Sequence, residues 1–247
     1  MWRKDRNIVL LTIGLLITVL FFALKTGKFQ PGGIWSEKMY QESVSREVAD
    51  AGQKETKAGN SKNAGKIALT FDDGPHPFYT QQLLEGLAER GVKATFFVTG
   101  EHAELHPDVI RQMNEEGHLI GNHTYSHLQL TAGNREEFKQ QLIQTNEVLE
   151  RITGEEIQYV RPPYGSWDKA LEGELNMFPV MWDVDPLDWC STNVSCITEK
   201  VVDKVQENDI ILMHDYYDTS VTAALKIVDE LLAEGYTFVT VEEILFD

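Results

Sequence analysis

The stretch Lys66-Ile-Ala-Leu-Thr-Phe-Asp-Asp-Gly-Pro75 decides the fold. Its apolar first part predicts a short buried strand, and Gly74-Pro75 predicts an immediate turn. Two adjacent carboxylates, Asp72 and Asp73, stand at the end of this strand. Neighbouring carboxylates in such a place are costly unless a cation or a proton binds them. The strand end is therefore a candidate cation site.

Strand-like and helical stretches alternate from Lys66 to the end of the chain. The predicted strands are 67–71, 94–98, 119–122, 159–161, 180–184, 210–213 and 237–241. The apolar stripes between them predict helices that end at Gly91, Gly154 and Gly235, and Ser220 is placed to cap the last helix. Such alternation predicts an α/β fold with a parallel sheet inside. Seven short strands predict a distorted or incomplete (β/α) barrel, with a doubly wound open sheet as the alternative.

The polar residues of this pattern favour the barrel. Six of them fall at or just beyond the C-terminal end of a predicted strand, namely Asp72, Asp73, His123, Arg161, Asp185 and His214. Active sites of barrels collect at this face, whereas an open sheet would gather such residues only near one switch point. We therefore expect these residues at one face of a barrel.

His123 and His127 are natural partners for the two carboxylates. They are four residues apart, so on one helical turn both would face the same ion. Two imidazoles with one carboxylate leave a position for water, as in catalytic zinc sites, and the second carboxylate could take a proton. The same ligands occur in non-haem iron oxygenases, and the pair could instead be two polar residues at a loop–helix junction. His214, after an apolar strand, could likewise be a core histidine.

Five segments together resemble a known family. They are Thr70-Phe-Asp-Asp-Gly-Pro75, His123-Thr-Tyr-Ser-His127, Arg161-Pro-Pro-Tyr-Gly165, Asp185-Pro-Leu-Asp-Trp189 and Leu212-Met-His214. In order and spacing they resemble the five motifs of the polysaccharide deacetylases, carbohydrate esterase family 4. Each motif alone is of modest specificity, but the five in sequence span nearly all of residues 66–247.

The resemblance implies a barrel of fewer than eight units and removal of the acetyl group from an acetylated sugar. It implies one divalent metal ion, commonly zinc, with cobalt or another divalent ion as the alternative. Carried over by position, the metal ligands are Asp73, His123 and His127, the general base is Asp72 beside Arg161, and the general acid is His214 oriented by Asp188. The Tyr164 backbone N–H would help to hold the oxyanion, Trp189 and Leu212 would wall the acetyl pocket, and Asp185 belongs to the same motif.

These residue types suit the hydrolysis of an amide. The metal would polarise the carbonyl and lower the pKa of water, a carboxylate would take the proton, and an imidazolium would protonate the leaving amine. We predict N-deacetylation of N-acetylglucosamine in cell-wall glycan, with peptidoglycan as the expected substrate. Asp73, where some muramic-acid-type relatives carry Asn, favours a glucosamine substrate. Chitin oligomers, another poly-N-acetylglucosamine, acetylated xylan and a catalytically silent glycan-binding module are the alternatives.

The N-terminal part predicts a membrane anchor and a linker. Residues 8–24 form an apolar run, which at about 1.5 Å per residue is just long enough to cross the bilayer core. We predict a cytoplasmic stub and transmembrane signal-anchor over residues 1–30, with a cleaved signal peptide as the alternative. Polar residues 31–65 predict an extracellular linker. Residues 66–247 would then be the catalytic domain of a single-pass cell-membrane protein at a bacterial surface.

Composition limits the partners. The 247 residues carry a formal net charge of −17, and because residues 1–30 carry +4, the remainder carries −21. Nucleic acid is excluded as an expected partner, since phosphate binding needs basic stripes. The hydrophobic share of 42% is ample for a core, and we expect a monomer. Cys190 and Cys196 could pair in an extracellular domain or remain free thiols.

Overall fold

The computed structural model describes residues 64–246, in which seven strands alternate with eight α-helices. The strands are β1 (Gly65–Asp72), β2 (Thr95–Val98), β3 (Leu119–Asn122), β4 (Tyr159–Val160), β5 (Phe178–Pro179), β6 (Ile210–His214) and β7 (Tyr236–Val239). The helices are α1 (Tyr79–Arg90), α2 (Gly100–Leu105), α3 (Pro107–Glu115), α4 (Arg135–Thr153), α5 (Ala170–Leu175), α6 (Val194–Val202), α7 (Asp218–Glu234) and α8 (Val241–Phe246). Two 3₁₀ turns occupy Pro163–Gly165 and Asp188–Cys190.

The strands form one parallel sheet in the order β5–β4–β3–β2–β1–β6, and β7 pairs with the first half of β1. The segment that follows β5 joins the two edges of this sheet. The backbone N–H of Val180 donates to the carbonyl of Val160 on β4, whereas Val184 forms a parallel bridge with Ile211 on β6. The incomplete barrel of parallel strands is thereby confirmed. The predicted strand 180–184 was misplaced, because these residues cross from one sheet edge to the other.

Alternation along β1 sorts its side chains between two buried layers. Ile67, Leu69 and Phe71 belong to the large core between sheet and helices. Ala68 belongs to a second cluster with residues of β2, β4 and β6, which lies inside the barrel. Because side chains alternate along a strand, Thr70 and Asp72 follow Ala68 on the inner face. Asp72 therefore lies at the C-terminal mouth of the barrel.

Four helix ends were predicted from the sequence, and three of them are confirmed. Gly91, Gly154 and Gly235 each follow a helix in the left-handed conformation, as predicted. The predicted cap at Ser220 was wrong. Helix α7 begins at Asp218, with Tyr217 before it, and Ser220 is buried in its first turn.

The predicted signal-anchor over residues 1–30 and nearly all of the linker lie outside the described residues. None of the helices between residues 64 and 246 combines the length and the hydropathy that a bilayer crossing requires. Cys190 and Cys196, which the structure does describe, are both free thiols.

Candidate active site

Strand register brings the polar residues to one end of the barrel. Asp72 on β1 is the register partner of His214 on β6. On the other side, Asn122 of β3 pairs with Val160 of β4, so the residues that follow them, His123 and Arg161, are also neighbours. The His123 Nδ1 lies 2.6 Å from the carbonyl oxygen of Arg161. Parallel pairing alone therefore places four predicted site residues at the same mouth.

The three predicted metal ligands converge on one point. The Asp73 Oδ1 lies 3.4 Å from His123 Nε2 and 3.3 Å from His127 Nε2. Ligand atoms about 2.1 Å from a tetrahedral ion lie roughly 3.4 Å apart, so these distances fit one small cation. The Asp73 Oδ1 is also buried without a hydrogen-bond partner, and an ion would satisfy it.

The two histidines meet through an irregular loop and not through a helical turn, which corrects the sequence prediction. Residues after β3 leave the strand without forming a helix, and Thr124 and His127 take left-handed backbone angles, with φ 63° and 57°. The loop is held by its own side chains. The Asn122 Oδ1 accepts from the Thr124 N–H at 2.8 Å, and the Thr124 Oγ1 accepts from the Leu128 N–H at 3.0 Å.

We call Asp73, His123 and His127 the metal triad. Their protonation states also favour the binding of a cation. The short contact of His123 Nδ1 with a carbonyl oxygen means that this nitrogen donates, which leaves the Nε2 lone pair facing Asp73. Burial lowers the pKa of His127, which favours the neutral imidazole that binds metals. Burial acts to raise the pKa of Asp73, but the neighbouring imidazoles, His123 foremost, lower it to about 2 when they carry a proton in place of a cation. Asp73 is therefore anionic throughout the neutral range.

Asp72 has a different environment, because it is 4% exposed and pairs with a buried arginine. The Arg161 Nη1 donates to Asp72 Oδ1 at 2.9 Å and to Thr70 Oγ1 at 2.6 Å. The rest of the guanidinium donates to the carbonyls of Val180 and Met181, both at 3.2 Å. Since Arg161 is fully buried and each of its three side-chain nitrogens has a hydrogen-bond partner, it fixes the position of the Asp72 carboxylate.

One buried carboxylate, that of Asp188, contacts His214 at two points. The Asp188 Oδ1 lies 2.8 Å from His214 Nδ1, and the Asp188 Oδ2 accepts from the His214 backbone N–H at 2.9 Å. Burial acts to lower the pKa of His214, but Asp188 and the carboxylates at the end of β1 raise it to about 9. The His214 Nε2 faces the triad and lies 4.0 Å from Asp73 Oδ2. At neutral pH His214 is therefore an imidazolium that can donate a proton.

A cleft of about 400 Å³ opens above these groups. Nine of the eleven predicted site residues line it, namely Asp72, Asp73, His123, His127, Tyr164, Asp185, Trp189, Leu212 and His214. The other two, Arg161 and Asp188, lie buried behind it. Tyr164 takes a left-handed conformation with φ 59°, and its exposed ring packs edge-on against His127 at 5.0 Å. The role of each residue stays a prediction, but the structure brings all eleven together.

Sequence reasoning missed several residues of the cleft wall. Trp182, Leu187 and Tyr217 also line it, and they lie outside the five motifs or at motif positions of no marked chemistry. Asp185 accepts from the Leu187 N–H at 2.7 Å, so it shapes the loop that carries Leu187. The only available signal was that Leu187 and Tyr217 follow predicted strands and that Trp182 lies within one.

Two further side chains that the sequence analysis missed hold the turn after β1. The His102 Nδ1 lies 2.8 Å from the carbonyl oxygen of Asp73, which itself has φ 74°. Asp215 is fully buried, and its Oδ2 accepts from Thr80 Oγ1 at 2.5 Å, while Thr80 accepts from the His76 N–H. Burial raises the pKa of Asp215 to about 7. The turn that carries Asp73 is thus fixed from two sides.

The fold is an incomplete α/β barrel, and Asp73, His123 and His127 at its mouth form a group that could hold a metal ion. Such an arrangement is typical of metal-dependent hydrolases. A family model described as polysaccharide deacetylase matches residues 59–180. Together with the relatives below, this shows that the chain belongs to the polysaccharide deacetylase family, which confirms the resemblance in the five motifs.

Three relatives illustrate the similarity. PdaC of Bacillus subtilis (strain 168), a peptidoglycan-N-acetylmuramic acid deacetylase, is 38% identical over 84% of this chain and 44% of its own length. The solved PdaC structure aligns with a TM-score of 0.71 at 38% identity, covering 76% of this chain and 92% of that chain. A peptidoglycan-N-acetylglucosamine deacetylase of Bacillus cereus is 40% identical over 72% of this chain and 67% of its own length. A chitooligosaccharide deacetylase of Rhizobium leguminosarum bv. trifolii is 36% identical over 69% of this chain and 87% of its own length. The chain thus spans less than half the length of PdaC.

Proposed function

We propose that the chain is a metal-dependent deacetylase that hydrolyses the acetamide of N-acetylglucosamine residues in peptidoglycan. The observation that carries this proposal is the presence of two proton-handling pairs beside one candidate metal site. Asp72 pairs with Arg161 at 2.9 Å, and His214 pairs with Asp188 at 2.8 Å. A base and an acid that face one cation site are what amide hydrolysis requires.

Each residue then has a defined task. Asp73, His123 and His127 would hold a divalent ion, which we propose to be zinc, and this ion would supply polarisation of the acetyl carbonyl and a more acidic water. Asp72 takes a proton from the attacking water, and its fixed pairing with Arg161 keeps it in reach. The backbone N–H of Tyr164 donates to the carbonyl oxygen as it gains negative charge.

The last step of the proposed reaction is protonation of the leaving group. His214, charged and oriented by Asp188, protonates the sugar nitrogen, which would otherwise be a poor leaving group. Trp189 and Leu212 enclose the methyl group of the acetyl unit. The products are acetate and a free amino sugar.

The choice of N-acetylglucosamine is supported by the anionic Asp73 and by the Bacillus cereus relative that is named for this sugar. The other two relatives are named for N-acetylmuramic acid and for chitooligosaccharides. A chitooligosaccharide is therefore the second candidate substrate. The presence of Asp72 and His214 opposes a catalytically silent binding module, since such a module has no use for them.

Acetate release tests this function. The purified full chain with added zinc should release acetate from peptidoglycan and from N-acetylated chitooligosaccharides, and a chelator should abolish the release. Addition of zinc to the chelated enzyme should restore it. Absence of acetate from every N-acetylated glycan, with zinc or cobalt present, would contradict the proposal.

We also propose that the chain is anchored in the cell membrane with its catalytic domain outside. Support comes from the sequence, in which the apolar run 8–24 follows three basic residues and precedes the polar linker. Fractionation of cells that express the full chain should recover it in membranes, whereas a chain without residues 1–30 should be lost from them. Equal distribution of the two forms would contradict the anchor.

A further inference from the structure

Five aromatic side chains form a continuous row beside the cleft. Starting from the cleft, Tyr217 lies 6.2 Å from Tyr216, measured between ring centroids, and Tyr216 lies 4.8 Å from His76. His76 stacks on Tyr79 at 4.5 Å, and Tyr79 contacts Phe78 edge-on at 5.4 Å. We call this row, Tyr217–Tyr216–His76–Tyr79–Phe78, the aromatic ribbon.

The aromatic ribbon is continuous with the reaction site. Its first ring, Tyr217, lines the cleft and is 47% exposed, and its last ring, Phe78, is 64% exposed. The members come from the segments that follow β1 and β6, which are adjacent strands. Since both segments leave the C-terminal ends of their strands, the ribbon lies at the same end of the barrel as the metal triad.

Internal packing explains the middle of the ribbon but not its far end. The His76 Nδ1 accepts from the backbone N–H groups of Phe78 and Tyr79 at 3.2 and 3.1 Å, so His76 holds the turn into α1. The ring of Phe78 serves no such purpose, because most of its surface faces solvent. An exposed apolar group that continues a functional cleft is typical of a ligand-binding surface.

We propose that the aromatic ribbon binds the sugar units of the glycan strand that lie next to the unit being deacetylated. One face of a pyranose ring carries only C–H bonds, so it packs on an aromatic ring, while its hydroxyl groups at the edge stay hydrated. The ribbon has five rings in a row and is longer than one sugar. This inference rests on the proposed function, because it takes the cleft as the place of the reacting sugar.

If the aromatic ribbon binds glycan, longer oligosaccharides should bind more tightly than short ones, because only the longer ones reach Phe78. For the full chain with zinc, KM for hexa-N-acetylchitohexaose should be lower than KM for di-N-acetylchitobiose. Phe78→Ala should raise KM for the hexasaccharide about five- to tenfold, since one aromatic contact is lost. The KM for the disaccharide and kcat for both substrates should stay unchanged. Phe78→Trp should keep the low KM for the hexasaccharide.

Phe246 is a matched control, because it is also phenylalanine and is 62% exposed. It belongs to α8, far along the chain from the ribbon, and it contacts Phe178 and not a ribbon member. Phe246→Ala should leave both KM values as in the parent. If Phe78→Ala and Phe246→Ala both leave KM for the hexasaccharide unchanged, the ribbon does not bind glycan.

A binding measurement separates this inference from the proposed function. Calorimetric titration of the metal-free full chain in detergent with hexa-N-acetylchitohexaose requires no turnover. If Phe78→Ala weakens this binding although the parent releases no acetate, the ribbon is supported and the proposed function fails. If the parent releases acetate and Phe78→Ala changes neither binding nor KM, the proposed function stands and the ribbon is wrong. If the parent does not bind the hexasaccharide at all, the ribbon is also wrong.

Discussion

At the scale of single residues, the division of labour follows from what each carboxylate touches. Asp72 is held by a buried arginine, whereas Asp73 faces imidazoles and keeps an unpaired oxygen. Asp188 uses both of its oxygens on His214. The three carboxylates have the same chemistry in isolation, so the roles that we propose for them, which are proton transfer, cation binding and orientation of His214, rest on their different surroundings.

Asp188 sets the pH range in which His214 can donate. Burial acts to lower the pKa of His214, and Asp188 contributes most to raising it, together with Asp72 and Asp73, to about 9. Replacement of this carboxylate in Asp188→Asn should therefore lower that pKa. Activity falls as pH rises through the pKa of the acid, so the alkaline limb of kcat/KM should move to lower pH by about one unit or more. A bound cation lowers the pKa of His214 in both proteins and leaves the direction of this shift unchanged. The measurement is a pH–rate profile at saturating zinc.

Asp185 is the control for this shift. It lines the same cleft from the same loop, but its Oδ1 accepts from the backbone of Leu187. Whatever its effect on rate, Asp185→Asn should keep the alkaline limb at the position of the parent. A limb that stays in place for Asp188→Asn, or that moves equally for both variants, would contradict the role of Asp188.

At the scale of elements, the strands could be predicted well and the loops poorly. Parallel strands buried on both faces have a strong apolar signal, and their register then fixes the neighbours of Asp72 and His214. The loop between His123 and His127 could not be predicted, because side-chain hydrogen bonds and left-handed angles replace the expected helical turn. The crossing segment 180–184 was predicted to be a strand because apolar composition does not show which edge of a sheet a segment pairs with.

The choice between Asp72 and Asp73 also exceeded what spacing shows. Adjacent residues of the same type cannot be told apart by pattern, and the family resemblance made the assignment. The structure supplies the physical difference, because Asp72 ends β1 on its inner face and Asp73 begins the turn with φ 74°. Tyr217 and Asp215 were missed since neither their residue type nor their spacing indicated a role.

A substitution in the turn after β1 tests whether the candidate cation site depends on the conformation of this turn. A methyl group at Gly74 would overlap the buried carboxylate of Asp215. Gly74→Ala should therefore displace the turn that carries Asp73, with a loss of about 1–3 kcal/mol in the free energy of unfolding and weaker zinc binding. Urea denaturation and zinc titration measure the two effects.

Gly133 offers the matched control for this substitution. A methyl group there would meet no atom within 4 Å, so Gly133→Ala should change the free energy of unfolding by less than about 0.5 kcal/mol and leave zinc affinity unchanged. Equal stability and equal zinc affinity of the two variants would show that the turn does not depend on its contact with Asp215.

At the scale of the whole molecule, one architectural fact gathers the site. All seven strands run parallel, so every loop after a strand opens at the same end of the barrel and can contribute to one cleft. The crossing segment 180–184 completes the wall by joining β4 to β6, and it supplies the carbonyl groups of Val180 and Met181 that accept from Arg161. The proposed base, the candidate cation site and the proposed acid thus come from different parts of the chain and meet only in the folded barrel.

The most direct test of the central claim compares Asp72→Asn with the parent chain at the same zinc content. Asp72 is the assigned base and not a metal ligand, so the variant should bind zinc as the parent does and lose about 100-fold or more in acetate release. Asp73→Asn, by contrast, should lose zinc affinity as well. Circular dichroism checks that each variant is folded. Acetate release by zinc-loaded Asp72→Asn at the parent rate would contradict the account.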